Sequence, residues 1–211
     1  MAEPLLFIFD MDDVLYDYDW AARMAALADL TGLDFETLRD RWWHTEGEHA
    51  AEAGRFADAE AYLEAFCAAV GAEVSEADWV RVRGAAMSPL PDSIAAVRRA
   101  QQLGQITLLT NNGPLTLKHL GELAPELPPL FGEHLLTSSH YGARKPDRLV
   151  FDRVLAAYDT PASRAFFADD YEPNVRAAAA VGITAHLFST GAELLDAIEA
   201  FAATRATDRP G

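Results

Sequence analysis

An α/β architecture, a parallel sheet with helices on both faces and an all-helical insertion, follows from three features of the sequence. Short apolar runs at Leu5–Phe9, Ile106–Leu109 and Ala165–Ala168 have the length of strands buried on both faces. From Asp92 onward, strand and helix patterns alternate, which is the signature of a parallel sheet. Residues 17–88 read as helical throughout. The predicted layout is a Rossmann-like core over residues 1–16 and 90–211, with a helical domain at 17–89 inserted after the first strand.

Each element has its own local warrant. Asp19 is placed to cap a helix carrying Trp20, Met24, Leu27 and Leu30, and Gly32 ends it. Asp34 caps a second, with Leu33 and Leu38 spaced as a hydrophobic staple. A third runs from Asp58 to Val70 and stops at Gly71. Ser75 opens a fourth, with Asp78 as its capping-box partner. Ser88-Pro89-Leu90-Pro91-Asp92 is a rigid connector, because each proline fixes its own φ and restricts its predecessor. Beyond it, helices are expected at 93–103, 115–123, 147–158, 174–181 and 192–203. Strands are expected at 106–109, 165–168 and 184–188, with a weaker one at His134–Thr137. The tail from Arg205 to Gly211 is expected to be loose.

Composition narrows the function classes. The 211 residues are half hydrophobic, enough for a sizeable core, and the formal net charge is −16. That charge argues against nucleic-acid and anionic-membrane partners, which want basic patches. A small anionic substrate stays open, because a local cation or metal can dominate a site. Cys67 is the single cysteine, on a helical apolar stripe, and is read as core filler. No run reaches the ~20 apolar residues of a membrane span. The first apolar run is too short for a signal peptide, so a cytoplasmic location is expected.

The chemistry-bearing residues sit at strand ends, where ligands bind in open α/β sheets. The first strand ends in Asp10-Met11-Asp12-Asp13; the strand at 106–109 in Thr110-Asn111-Asn112-Gly113; the strand at 165–168 in Asp169-Asp170. Lys145 follows the weak strand and is one of only two lysines, against fifteen arginines. Alone, each has an ordinary reading: polar turns for the aspartates, a helix cap for Thr110, a solvated side chain for Lys145. Together they compose a phosphoryl-transfer site. Four carboxylates from two strand ends repel one another without a cation, and Mg²⁺ is the hard, oxygen-loving choice. Thr110 and Lys145 are suited to phosphate oxygens. Covalent aspartyl-phosphate chemistry gives one carboxylate a role as nucleophile.

In this order, the four motifs resemble the haloacid dehalogenase-like (HAD) superfamily, over the whole chain. Asp10-Met11-Asp12-Asp13-Val14, Thr110, Lys145-Pro146 and Asp169-Asp170 match its first to fourth motifs. The helical insertion looks like the family's cap between the first and second motifs. The departure is Asp13, where many members have glycine; aspartate tolerates positive φ fairly well. The resemblance implies a Mg²⁺-dependent phosphatase acting on a sugar phosphate or nucleoside monophosphate. It implies Asp10 as nucleophile and Asp12 as general acid, then base. Asp10, Asp170 and the Asp12 carbonyl would hold Mg²⁺, with Asp169 assisting. Thr110 and the Asn111 amide would hold phosphoryl oxygens, and Lys145 would offset charge.

The cap is expected to choose the substrate. Trp42, Trp43, His44 and Arg55 are candidates to face the site, with core packing as the alternative for at least one tryptophan. His44 and His49 lie five apart, about 140° round a helix, so a zinc pair is not expected. Alternatives on the same fold are a phosphomutase, separable only through the cap, and a haloacid dehalogenase, which needs neither metal nor Asp12. A non-catalytic phosphate-binding module has no need of an acid–base residue. A signalling receiver domain places its acidic pair before Thr and Lys in another order, and has no such insert.

Overall fold

A computed structural model describes residues 4–207. Four parallel strands form the central sheet: β1 (Leu6–Phe9), β4 (Gln105–Leu108), β5 (Ala165–Asp169) and β6 (Thr184–Leu187), in the order β4-β1-β5-β6. Two further strands, β2 (Tyr16–Tyr18) and β3 (Met87–Pro89), pair antiparallel in a separate ribbon. All four residues of β1 are buried, as a central strand covered on both faces requires. Phe7 and Phe9 point to one face, packing with Val97, Leu194, Ile198 and Phe201. Leu6 and Ile8 point to the other, with Val150, Phe151, Val154 and Ala178. The order reverses between β1 and β5, and that reversal opens a crevice at the carboxyl ends of these two strands.

Between β2 and β3 the chain is helical: Trp20–Thr31, Phe35–Leu38, a π-turn at Arg39–Trp43, Glu46–Glu52, Ala59–Val70 and Glu76–Ala85. The capping expectations hold. Asp19, Asp34, Asp58 and Ser75 accept from the N–H groups of Ala22, Thr37, Ala61 and Asp78, and Gly32 and Gly71 end their helices in the left-handed region. Asp13, with φ 59°, takes the turn geometry expected of it.

Several expectations need correcting. His134–Thr137 is not a strand. A 3-10 turn covers Gly132–His134; a single bridge, Thr110 to Thr137, and the Thr107 hydroxyl donating to the His134 carbonyl at 3.2 Å tie this segment to β4 and the chain just beyond it. The connector at 88–92 is not merely rigid loop, because Met87–Pro89 pairs with Tyr16–Tyr18 and Pro91 opens the next helix. The helix at Glu46–Glu52 falls within the stretch read as helical, and it carries Gly47. That glycine is there for space: a Cβ would lie 2.6 Å from the Trp42 ring. The last helix runs Gly191–Thr207, and Arg205 Nε donates to the Ser163 carbonyl at 2.6 Å. The rest of the expected loose tail lies outside the described residues.

Candidate active site

The crevice between β1 and β5 gathers the strand-end residues. Asp10 follows β1 and its N–H continues the ladder onto the Ala168 carbonyl at 3.0 Å. Asp169 is the last residue of β5 and is fully buried. Carboxylate oxygens of Asp10, Asp169 and exposed Asp170 lie within 4.8 Å of one another. The Lys145 ammonium enters this cluster and reaches Asp10 Oδ1 at 2.9 Å and Asp169 Oδ2 at 2.6 Å, with its side chain wholly buried.

Such a cluster shifts its own protonation. Burial raises the Asp10 pKa well above the ordinary carboxyl value; Lys145 opposes this, and the Asp169 and Asp12 charges reinforce it. Burial, then Asp169, raises Asp170 to about 6. Burial alone would lower the Lys145 pKa, but Asp10 and Asp169 reverse that and raise it. Three converging carboxylates with a single ammonium between them are a donor set suited to a hard divalent cation. Asp169 is already well occupied: it accepts from Lys145, from the Tyr171 N–H at 2.9 Å, and from Asn174 Nδ2 at 3.0 and 3.1 Å. Asp10 and Asp170 have the freer oxygens.

The loop after β4 supplies the opposite wall. Thr110 is buried, its carbonyl accepting from the Ser138 N–H at 2.8 Å. The Asn111 side chain locks the Lys145 backbone from both sides: Nδ2 donates to its carbonyl and Oδ1 accepts from its N–H, both at 2.9 Å. Asn112 was not singled out in the sequence, yet it joins the two sides of the site. Its Nδ2 donates to Thr110 Oγ1 at 2.8 Å and to Asp12 Oδ2 at 3.3 Å, while Thr116 donates to its Oδ1 at 3.2 Å.

Asp12 faces the helical insert. Arg83, from the last insert helix, donates through Nη2 to Asp12 Oδ1 at 3.0 Å and Oδ2 at 2.8 Å. No sequence signal marks Arg83, which lies far from Asp12 along the chain. Asp12's carboxylate is not one of the three converging groups.

The insert candidates separate. Trp42 is core: its ring packs on Phe56, Tyr62 and Phe66, and its Nε1 donates to Glu48 at 2.5 Å. Trp43 is half-buried, edge-on to Trp20 and under the Arg23 guanidinium. His44 pairs with Asp40 at 2.9 Å and Arg55 with Glu46 at 3.5 Å, each more than half exposed. Neither is joined to the acidic cluster by a hydrogen bond or ion pair among the described residues. Cys67 is half-buried against the core. No described helix is long and apolar enough to cross a membrane.

Comparison with known proteins gives the family and the fold. The family model for haloacid dehalogenase-like hydrolases matches residues 5–182. A phosphatase of Mycobacterium tuberculosis, MT3486, is 26% identical over 200 residues, covering 90% of each chain. Among solved structures, a HAD family enzyme from Bacteroides thetaiotaomicron, in complex with magnesium and inorganic phosphate, superposes with a TM-score of 0.73 at 15% identity. The match covers 89% of this chain and 95% of that one. A HAD-like hydrolase from Porphyromonas gingivalis gives 0.74 at 18% identity over 99% and 100%. A 2-haloacid dehalogenase from Pseudomonas syringae gives 0.58 at 20% over 86% and 85%. The chain is an enzyme and belongs to the haloacid dehalogenase-like hydrolase family.

Proposed function

We propose that the enzyme is a Mg²⁺-dependent phosphomonoesterase acting on a small phosphorylated metabolite, a sugar phosphate or a nucleoside monophosphate. The observation that carries this reading is the convergence of Asp10, Asp169 and Asp170 around the Lys145 ammonium. The phosphatase relative and the phosphate-bound neighbour support it.

In this reading an Asp10 carboxylate oxygen attacks phosphorus, the bond to the leaving oxygen breaks, and Asp12 gives that oxygen its proton. Water then attacks the aspartyl-phosphate, Asp12 takes the water proton, and inorganic phosphate leaves with the Asp10 carboxylate restored. Thr110 and the Asn111 amide hold the phosphoryl oxygens, and the Asn111 N–H finds no acceptor among the described residues. Lys145 fixes Asp10 in place and offsets charge, the contribution that dominates phosphoryl transfer. Asp10, Asp170 and the Asp12 carbonyl would hold Mg²⁺, with Asp169 acting through water. When bound, the ion would neutralise charge on the phosphoryl oxygens. Residues 17–89 act as the cap over this site. Asp12 together with three further carboxylates favours phosphate esters over haloacids, whose hydrolysis needs neither a second acid nor a metal.

Phosphate release from a metabolite panel, with Mg²⁺ or with EDTA, tests the reading. Turnover is expected only with the metal; equal turnover in EDTA would overturn the metal requirement. A pH dependence follows. The raised Asp170 pKa of about 6 means that protons compete with the metal below that value. The Mg²⁺ concentration for half-maximal activity is expected to be flat from pH 7 to 8 and to rise roughly tenfold per pH unit below about 6. An activation constant flat down to pH 5 would exclude Asp170 as a ligand.

A further inference from the structure

We propose that Arg83 is the specificity-determining residue of the cap, and that it receives a second oxyanion group, a carboxylate or second phosphate, on the substrate. The inference rests on the phosphatase reading above and names the substrate class within it.

Arg83 is 2% exposed, and a guanidinium so deeply buried must be paired. In the structure Asp12 supplies the partner, with both carboxylate oxygens engaged. Asp12 is also the residue assigned to the leaving-group oxygen, and giving that oxygen a proton through one carboxyl oxygen takes that oxygen off Arg83, so the two-oxygen contact is lost. Once Asp12 carries the proton, Arg83 faces a neutral carboxyl, and a substrate oxyanion would restore its charge pairing. The planar fork of arginine is shaped for a carboxylate or phosphate.

The surroundings supply no substitute. Arg83 Nη1 donates to the Tyr18 hydroxyl at 3.1 Å, and Nε is buried without a partner. Arg23, 4% exposed, donates to the same hydroxyl at 2.6 Å and lies against the Trp43 and Trp79 rings. Among the described residues no carboxylate is within ion-pair distance of Arg23. Two buried cations therefore meet at one phenol beside Asp12, with a single carboxylate in direct contact. Glu48 is the other acidic group whose field reaches Arg83. Its carboxylate accepts from the Trp42 indole and the Tyr62 hydroxyl. Tyr18 belongs to β2 and Arg83 to the helix leading into β3, so the oxyanion would be held where insert and core join.

The test uses two matched substrate pairs with Mg²⁺: glycerol phosphate against phosphoglycerate, and a hexose monophosphate against a hexose bisphosphate. Wild type is expected to prefer the doubly anionic member of at least one pair; which pair shows it separates carboxylate from phosphate. In Arg83→Met the kcat/KM ratio of doubly anionic to singly anionic substrate is expected to fall about tenfold or more, the loss of a charge-assisted bidentate contact. Arg83→Lys, which keeps the charge without the fork, is expected to fall between the two and serves if the methionine variant does not fold. No wild-type preference in either pair, or a ratio that falls less, overturns the assignment. Turnover of the singly anionic esters without preference removes Arg83 alone, whereas wild-type inactivity on all four removes the phosphatase reading itself.

Discussion

Asp10→Asn is expected to lower phosphate release by roughly 10⁴-fold or more, because the step that forms the covalent intermediate disappears. The fold is expected to survive. Burial, with Asp169 and Asp12 nearby, raises the Asp10 pKa against the pull of Lys145. A carboxyl whose folded pKa exceeds its unfolded one binds more protons when folded, so its ionisation costs stability as pH rises. The amide removes that cost at neutral pH, and Lys145 keeps Asp169 at 2.6 Å. In EDTA the melting midpoint of the variant is expected to match wild type or exceed it. Full activity in Asp10→Asn would remove the nucleophile assignment, and a midpoint well below wild type would show that the site depends on the Asp10 charge for its stability.

Lys145→Met is expected to have the largest effect on stability. It leaves Asp10 and Asp169 facing each other in a buried site with no cation between them. Removing one partner of a buried ion pair costs about 3–5 kcal/mol. For a chain of this size that is a fall of roughly 10 °C in melting midpoint. Mg²⁺ then becomes more valuable to the fold, since a bound divalent cation stabilises by mass action and now replaces the missing ammonium. Thermal scans with and without Mg²⁺ check this: the metal-dependent rise is expected to be larger in the variant than in wild type, without full recovery of turnover. An equal or smaller rise would show that Lys145 and the metal do not share the same carboxylates.

Where the sequence was legible, the determining interactions were local. β1 and β5 are buried on both faces, so their apolar runs stand out against polar flanks. Asp19, Asp34, Asp58 and Ser75 bond to N–H groups three residues on, and that spacing is visible in one dimension. Asp10, Thr110 and Asp169-Asp170 could be listed because strand ends are a predictable place for chemistry, whereas Lys145 stood out by the rarity of lysine and by its place in the motif order, the strand expected before it being absent. What escaped was long-range or context-dependent. Tyr16–Tyr18 and Met87–Pro89 are three residues each, too short for alternation to signal a strand, and each is a strand because the other is beside it. His134–Thr137 has strand-like composition but a single bridge. Arg83 and Asn112 act through contacts that span the insert or join separate loops. His44 and Arg55 were candidates to face the site, but their observed partners are Asp40 and Glu46.

The β2–β3 ribbon bears on how the chain reaches its fold. β1 must pair with β4 across residues 10–104, a long loop whose closure is entropically costly. The insert forms largely through local helices, and Tyr16 pairs with Pro89 at its base. Once that ribbon closes, the loop remaining between β1 and β4 is only residues 10–15 and 90–104. That is more than a fourfold shortening, worth roughly 1 kcal/mol of closure entropy at about 0.6 kcal/mol per halving. The ribbon at the base of the insertion thus holds the two stretches of chain that carry the central strands within a short loop of each other.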